Sequence, residues 1–211
     1  MRISFLIDGF NLYHSILQAS IDLKNTSTKW LNIRSLCSSY MYLLGREADL
    51  QSIYYFSALA IHLEARKPDV TKRHLAFISC LEATGIVVEL GRFKEKTIHC
   101  HNCNRTMIRH EEKETDVAIS VKLLELMIAD ECDTAVIITG DTDIAPAVRT
   151  TQKLFPQKNI LFVFPYGRKN RELVKIAPKS FSISKEQYAK HQFSNPFILT
   201  DGTQVHKPLR W

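Results

Sequence analysis

Residues 135–143, AVIITGDTD, decide the fold of this chain. Four consecutive apolar residues predict a strand that is buried on both faces of a sheet. The Thr-Gly-Asp-Thr-Asp run that follows predicts a polar turn, and a helix is expected over about 142–154, with Pro146 accommodated in its first turn. This stretch therefore forms one strand–loop–helix unit, which is the repeating element of a parallel sheet covered by helices.

The same pattern recurs along most of the chain. Strands are predicted over residues 3–7, 51–59, 86–90 and 160–164, with a short segment at 181–183. Helices are predicted from Asn11 onward and over residues 31–44, 68–84, 115–131 and 170–177. Alternating strands and helices predict an α/β fold with a mainly parallel sheet, and ligands bind at the carboxyl ends of the strands in such sheets.

The composition is that of an ordinary globular protein. The chain has 211 residues, of which 45% are hydrophobic and 24% charged, which excludes a mainly disordered or collagen-like chain and predicts one domain, at most with an appendage. The charge is uneven, because residues 144–211 hold 12 Lys and Arg against 3 Asp and Glu. This basic third of the chain either attracts a polyanion or is an ordinary solvated surface.

The number of cysteines and the hydropathy of the chain indicate the cellular compartment to expect. There are 5 cysteines, an odd number, and the apolar start of the chain is interrupted at Asp8, so we expect neither a signal peptide nor a disulfide framework. No apolar run approaches the roughly 18 residues that a membrane span needs. We expect a cytoplasmic protein without membrane contact, and a homo-oligomer is compatible with the sequence.

Carboxylates follow the predicted strands. Asp8 ends the first strand, Asp141 and Asp143 follow the strand at 135–138, and Asp116 lies at the start of a long helix. Each of them alone is explained as a helix cap or as a charge matched to a helix dipole. Several carboxylates at one sheet edge need raised pKa values or cations, and Mg²⁺ or Mn²⁺ suits oxygen ligands best.

Several enzyme classes are excluded by the motifs that the chain lacks. The first strand is not followed by G-x-G-x-x-G, and neither G-x-x-x-x-G-K-[ST] nor G-x-S-x-G occurs anywhere in the chain. A dinucleotide-dependent enzyme, a P-loop NTPase and a hydrolase with a serine triad are therefore not expected.

Three blocks of sequence together resemble the NYN domain, in its LabA-like branch, a relative of the PIN-domain nucleases. They are LIDGFNL at 6–12, KETDVA at 113–118 and TGDTDIAP at 139–146, and the likeness covers about residues 1–184. The resemblance implies a PIN-like, Rossmann-like three-layer α/β/α sandwich, an acidic pocket that binds Mg²⁺ or Mn²⁺, and ribonuclease activity.

The resemblance also implies roles for individual residues. By position, Asp8, Asp116, Asp141 and Asp143 are the catalytic, metal-binding acids, and Asn11 and Thr139 are polar positions beside them. Many relatives have Ser where this chain has Thr139, which keeps the hydroxyl group. Many also have glycine and a hydrophobic residue before the second acid, where this chain has Glu114-Thr115, so Glu114 is either an extra acid or merely exposed.

Residues 91–114 form a polar insertion that carries Cys and His. Cys100 and Cys103 make a C-x-x-C knuckle, and a tetrahedral Zn²⁺ site would need His99, His101 or His110, or a partner chain, to complete it, with His101 and His110 as our candidates. The alternative is a reduced hairpin without metal, since a second C-x-x-C pair is missing. Residues 185–211 are expected to form a basic extension over the body of the domain.

The function expected from the sequence is a divalent-metal-dependent ribonuclease, an endonuclease in our first hypothesis, with single-stranded RNA as the favoured partner. Arg168, Lys169 and Arg171 either contact phosphates at the acidic edge or are solvated, and the basic residues around 66–74 at a helix start have the same two interpretations. The alternatives are a non-catalytic RNA-binding regulatory module and a small-molecule phosphohydrolase that uses the same acids.

Overall fold

The computed structural model of the chain describes residues 1–24, 26–100, 102–209 and 211. The strands are β1 (Arg2–Asp8), β2 (Asp49–Ala58), β3 (Val87–His99), β4 (Thr106–Lys113), β5 (Thr134–Ile138), β6 (Asn159–Phe164), β7 (Phe181–Ser182), β8 (Phe197–Ile198) and β9 (Gln204–Val205). The helices are α1 (Gly9–Asp22), α2 (Ile33–Ser39), α3 (Met41–Leu44), α4 (Val70–Ala83), α5 (Thr115–Ile128), α6 (Ala145–Leu154), α7 (Arg171–Ile176) and α8 (Lys185–Lys190). Every helix within these residues is too short or too polar to cross a membrane.

One sheet organises the molecule, with the spatial order β4-β3-β2-β1-β5-β6-β7. Neighbouring strands are parallel except β3 and β4, which pair antiparallel. The chain builds the sheet outward from β1 to β3, then returns to the other side of β1 with β5, β6 and β7. This is doubly wound topology, and the order reverses between β1 and β5. The expected three-layer α/β sandwich with a mainly parallel sheet is confirmed.

The two faces of the sheet have separate hydrophobic cores, because successive side chains of a strand point to opposite faces. In β1, Phe5 and Ile7 pack into the first core, which also receives α1, α2, α4 and α8. Leu6 packs into the second core, which is covered by α5, α6 and α7. Both faces are therefore buried, which explains why β1 and β5 are continuous apolar runs rather than alternating ones.

The segment after residue 184 packs into the first core. The side chain of Tyr188 in α8 is fully buried. Its hydroxyl shares a hydrogen bond with Ser15 Oγ of α1 at 2.9 Å and accepts from the Tyr166 amide at 3.2 Å. Phe193 and the partly buried Trp211 join the same core, so this segment supplies apolar surface as well as basic charge.

We expect Tyr188→Ala to lower the free energy of unfolding by about 3–5 kcal/mol, because the substitution leaves a cavity and removes both hydroxyl contacts. Tyr42→Ala is the matched control, since that ring is 76% exposed, and it should cost no more than about 0.5 kcal/mol. Urea unfolding followed by circular dichroism measures both. Equal midpoints for the two variants would show that α8 does not contribute to the folded core.

Two expectations about local structure were wrong. The single helix predicted over 31–44 is two helices, because the Tyr40 amide bonds to the Cys37 carbonyl three residues back and the Tyr40 ring turns into the core. The strand predicted over 86–90 is longer than expected, since β3 continues to His99 and pairs with β4, which makes the polar insertion largely a β-hairpin. Most of this hairpin is exposed on both faces, so its sequence lacks the alternation that marks a strand.

Candidate functional site

The candidate site lies at the carboxyl ends of β1 and β5, the two central parallel strands. Ile7 pairs with Ile138 in register, so the loops that begin at Asp8 and at Thr139 leave the sheet side by side. The strand order reverses at this point, and the diverging helices leave a crevice there in doubly wound folds. Strand pairing therefore makes neighbours of Asp8 and Thr139, which are 131 positions apart in the chain.

Hydrogen bonds connect the two loops. Asp8 is 5% exposed, and its Oδ1 accepts from the Asn11 amide at 2.9 Å, which caps the start of α1. Its Oδ2 accepts from Thr139 Oγ1 at 2.8 Å. In return, Asn11 Oδ1 accepts from the Gly140 amide at 3.0 Å. Asn11 and Thr139 thus hold the Asp8 carboxylate and the glycine turn in one orientation.

The acids of the second loop are attached to the same network. Thr139 Oγ1 accepts from the Asp141 amide at 3.1 Å, and Asp141 Oδ1 accepts from the Asp143 amide at 3.1 Å. Asp143 is exposed, whereas Asp141 is partly buried. Burial raises the pKa of Asp8, the hydrogen bonds from Asn11 and Thr139 oppose that shift, and the charge of Asp141 adds to it.

Asp116 reaches this edge from α5. Glu114 adopts a left-handed backbone conformation, with φ of 83°, and α5 begins directly after it, which places Asp116 in the first turn. Burial raises the pKa of Asp116 to about 6, and the charges of Asp8, Asp141, Glu112 and Asp143 add to the shift. The four aspartates from three separate stretches therefore share one field of negative charge.

This pKa predicts an inverse dependence of stability on pH in the metal-free protein. The pKa of Asp116 rises from 3.8 to about 6 on folding, so its contribution to stability is complete below pH 3.8 and is lost as the pH rises through 6. Asp116→Asn removes this cost, and we expect it to raise the free energy of unfolding at pH 7.5 in chelator by on the order of 1–2 kcal/mol after solvent screening. That corresponds to a gain of about 2–8 °C in Tm.

Thermal melts in chelator at pH 4 and pH 7.5 test this prediction. The variant and the parent should melt at similar temperatures at pH 4, where the Asp116 carboxyl is largely neutral. A variant that melts at or below the parent temperature at pH 7.5 would contradict the prediction.

The two glutamates next to Asp116 have different surroundings. Glu114, the candidate extra acid, is exposed and pairs with Arg92 at 2.7 Å. Glu112 accepts from the amide and the hydroxyl of Thr115, and its charge is among those that raise the pKa of Asp116. Glu112 precedes Asp116 in the sequence but was not among the predicted site residues, because its position follows from the hairpin register, which pairs it with Phe93.

The loop after β6 packs directly against the Gly140 turn. A Cβ atom on Gly140 would lie 2.2 Å from the Arg168 carbonyl oxygen, and Asn170 Nδ2 donates to the Gly140 carbonyl at 3.4 Å. The side chains of Arg168, Lys169 and Arg171 are exposed beside this contact. Asn170, which caps α7, was not singled out in the sequence, although an Asn before a helix is a recognisable capping signal.

The Cys and His residues of the hairpin do not all come together. Cys100 and Cys103 lie at its tip, where hydrogen bonds from Cys103 lower the pKa of the Cys100 thiol. His110 lies further along β4, opposite Glu95 in the register, and stacks on His62 with ring centroids 4.2 Å apart. His101 lies outside the described residues, and the zinc site stays a prediction.

The donor chemistry of the acidic edge fits a hard divalent cation. Carboxylate oxygens are the ligands that Mg²⁺ and Mn²⁺ prefer, and this edge supplies them from β1, the Thr139–Gly140 turn and α5. In the conformation of the structure, no three His, Cys, Asp or Glu side chains of the described residues are close enough together to hold a metal ion. The fit thus rests on the donor set and on the shared charge.

The fold and this edge define a class: a doubly wound α/β protein with carboxylates gathered at the switch point of its sheet. The chain belongs to the NYN domain family, whose model matches residues 2–184. NYN domains are generally PIN-like nucleases, so this membership supports a hydrolase that binds nucleic acid. The match does not resolve the branch, and the LabA-like assignment stays a prediction.

Two of the proteins that are similar to this chain are the following. The chain is 26% identical over 247 positions to 6-hydroxy-3-succinoylpyridine 3-monooxygenase HspA of Pseudomonas putida, an alignment that covers 100% of this chain and 75% of that protein. The crystal structure of VPA0982, a protein of unknown function from Vibrio parahaemolyticus, superimposes with a TM-score of 0.54 and 19% identity, covering 87% of this chain and 93% of that one. The latter likeness supports the fold.

Proposed function

We propose that the protein is a divalent-metal-dependent ribonuclease that hydrolyses phosphodiester bonds of single-stranded RNA at the carboxyl edge of β1 and β5. The observation that carries the proposal is geometric: strand pairing and the Thr139 hydroxyl hold Asp8 and Asp141 side by side, and the charges of both act on Asp116. Like charges held together in this way are stabilised by a cation.

The proposal assigns a role to each group at the edge. Asp8, Asp116, Asp141 and Asp143 hold Mg²⁺ or Mn²⁺, which when bound supplies an activated water and stabilises the phosphodiester oxyanions. Asn11 and Thr139 orient Asp8 and the Gly140 turn through their hydrogen bonds. Arg168, Lys169 and Arg171 contact the RNA phosphates, because their loop packs on that turn.

We also propose a domain organisation for the chain. Residues 1–184 form the NYN unit, residues 91–114 are an insertion within it, and residues 185–211 are a basic extension. The packing of Tyr188 and Phe193 in the first core supports an extension that completes the domain rather than a free tail. We further propose a cytoplasmic location.

A second candidate activity comes from the name of the Pseudomonas relative, a monooxygenase of 6-hydroxy-3-succinoylpyridine. The full coverage of this chain in that alignment favours testing it. The reaction class requires dioxygen and a two-electron reductant. Its assay therefore contains that pyridine together with a reduced nicotinamide or flavin.

One panel of assays separates these functions. We expect cleavage of a single-stranded RNA oligomer with Mn²⁺ or Mg²⁺, and no cleavage in excess chelator. A phosphomonoester, a double-stranded RNA and the hydroxypyridine with reductant are incubated in parallel. Cleavage that persists in chelator, or turnover confined to one of the other substrates, would overturn the proposal, and salt-sensitive RNA binding without any cleavage would identify a binding module instead.

A further inference from the structure

A large cavity adjoins the acidic edge, and the proposed hydrolysis uses none of its aromatic or cationic side chains. Its volume is about 720 Å³, which lies within the range of about 300–1,000 Å³ that is typical of ligand sites. Gly9 and Phe10, which directly follow Asp8, form part of its wall. Glu112, whose charge acts on Asp116, lines it as well. The cavity therefore extends from the proposed catalytic edge toward α4.

Aromatic side chains dominate one part of this wall. Phe10 and Phe93 meet edge to face with ring centroids 5.6 Å apart, and His62 packs on Phe93 at 4.5 Å. Tyr13 of α1 also lines the cavity, and it is 44% exposed although it is a large aromatic residue. Exposed and partly exposed rings of this kind are the surfaces on which unstacked nucleobases bind.

A second part of the wall is cationic. Lys29, Lys67 and Arg73 line the cavity, and Arg73 donates to the uncharged carbonyl oxygen of Pro68 at 3.3 Å. Burial lowers the pKa of Lys29, and the charges of Arg73 and Lys207 lower it further, which shows that these cations lie within one another's fields. A cluster of cationic side chains in a cavity wall creates a positive potential that attracts an anion.

We propose that this cavity binds one nucleotide of the RNA strand, with its base against Tyr13 and Phe93 and its phosphate against Arg73 and Lys29. The inference rests on the proposed ribonuclease function, because it places this nucleotide next to the phosphodiester at Asp8. The cavity is then the subsite that orients the strand, since the acidic edge itself repels phosphates.

Calorimetric titrations in chelator test the proposal without any turnover. The ligands are adenosine 5′-monophosphate, uridine 5′-monophosphate, adenosine and a short single-stranded RNA. We expect Arg73→Gln to weaken binding of the nucleotides and the RNA at least about tenfold and to reduce the salt slope for RNA by about one. Tyr13→Ala should weaken adenosine and the nucleotides alike, by at least about fivefold.

Lys153→Gln is the matched control, because Lys153 is an exposed cation on α6, on the other face of the sheet. The control should bind every ligand as the parent does, and thermal melts verify that all variants fold. Equal affinities of Arg73→Gln and Lys153→Gln would overturn the proposal. Binding of free nucleotides but not RNA would do the same, as would binding of 6-hydroxy-3-succinoylpyridine alone.

The failures of the two proposals are distinguishable. If the nucleotide subsite is wrong, metal-dependent cleavage persists, and Arg73→Gln leaves the KM for RNA unchanged. If the ribonuclease function is wrong, cleavage is absent although nucleotide binding in chelator still depends on Arg73.

Discussion

Asp141→Asn is expected to lower the rate of metal-dependent RNA cleavage about 100-fold or more. The amide oxygen of asparagine can still accept from the Asp143 amide, so the turn that the carboxylate now caps at 3.1 Å is kept. What the variant loses is one of the four negative charges that act on Asp116 at this edge. The measurement is the initial rate of cleavage of a single-stranded RNA oligomer at fixed Mn²⁺.

Asp201→Asn is the matched control for this prediction. Asp201 lies between β8 and β9, far along the chain from the acidic loops, and its Oδ1 caps a turn by accepting from the Thr203 amide at 2.9 Å. Both variants therefore replace an aspartate that caps a turn, but only Asp141 belongs to the candidate site. Equal rates for the two, with unchanged thermal melts, would remove Asp141 from the catalytic machinery.

Gly140→Ala is expected to affect folding and activity together. The new Cβ atom would lie 2.2 Å from the Arg168 carbonyl oxygen, which is backbone and cannot rotate away as a side-chain end would. The Thr139–Gly140 turn and the Arg168 loop must separate, and overpacking of this kind costs about 1–3 kcal/mol or more. The separation also weakens the bond from the Gly140 amide to Asn11, so we expect cleavage to fall at least about tenfold.

Gly167→Ala separates this clash from backbone strain in the same loop. Gly167 has φ of +72°, and nothing lies within 4 Å of its added Cβ atom, so alanine there costs only about 1 kcal/mol of left-handed strain. Urea unfolding and the cleavage assay are applied to both variants. A Gly140→Ala protein as stable and as active as Gly167→Ala would show that the turn does not need its close approach to Arg168.

Much of the candidate site could be predicted from local sequence. Asp8 and Asp141 each follow a continuous apolar run, and such runs form central strands whose ends are recognisable. The helix that carries Asp116 has a clear start at Thr115. The residues beside these acids were harder to find, because Glu112 and Asn170 reach the edge through a hairpin register and through a loop that folds back on Gly140.

The exposed hairpin shows the limit of periodicity most clearly. Lys96 pairs with Glu111 at 3.3 Å across β3 and β4, and both faces of the hairpin carry charged residues. A strand that buries neither face has no alternation to reveal it, so its partner and its register come from pairing alone.

By itself, the sequence determined most of the elements of this protein: which buried runs are strands, where their polar ends lie, and which acids follow them. These are local properties, because burial of a short run and the stopping of a strand depend on neighbouring residues. Only the tertiary structure decided that β1 lies beside β5 and that α1, α4 and the hairpin enclose a cavity next to the acids. The placement of Asp116 with Asp8 and Asp141 was implied by the resemblance to the NYN domain, not by any local pattern. The reason is physical: strand order and register are set by contacts between residues far apart in the chain, which no local pattern encodes.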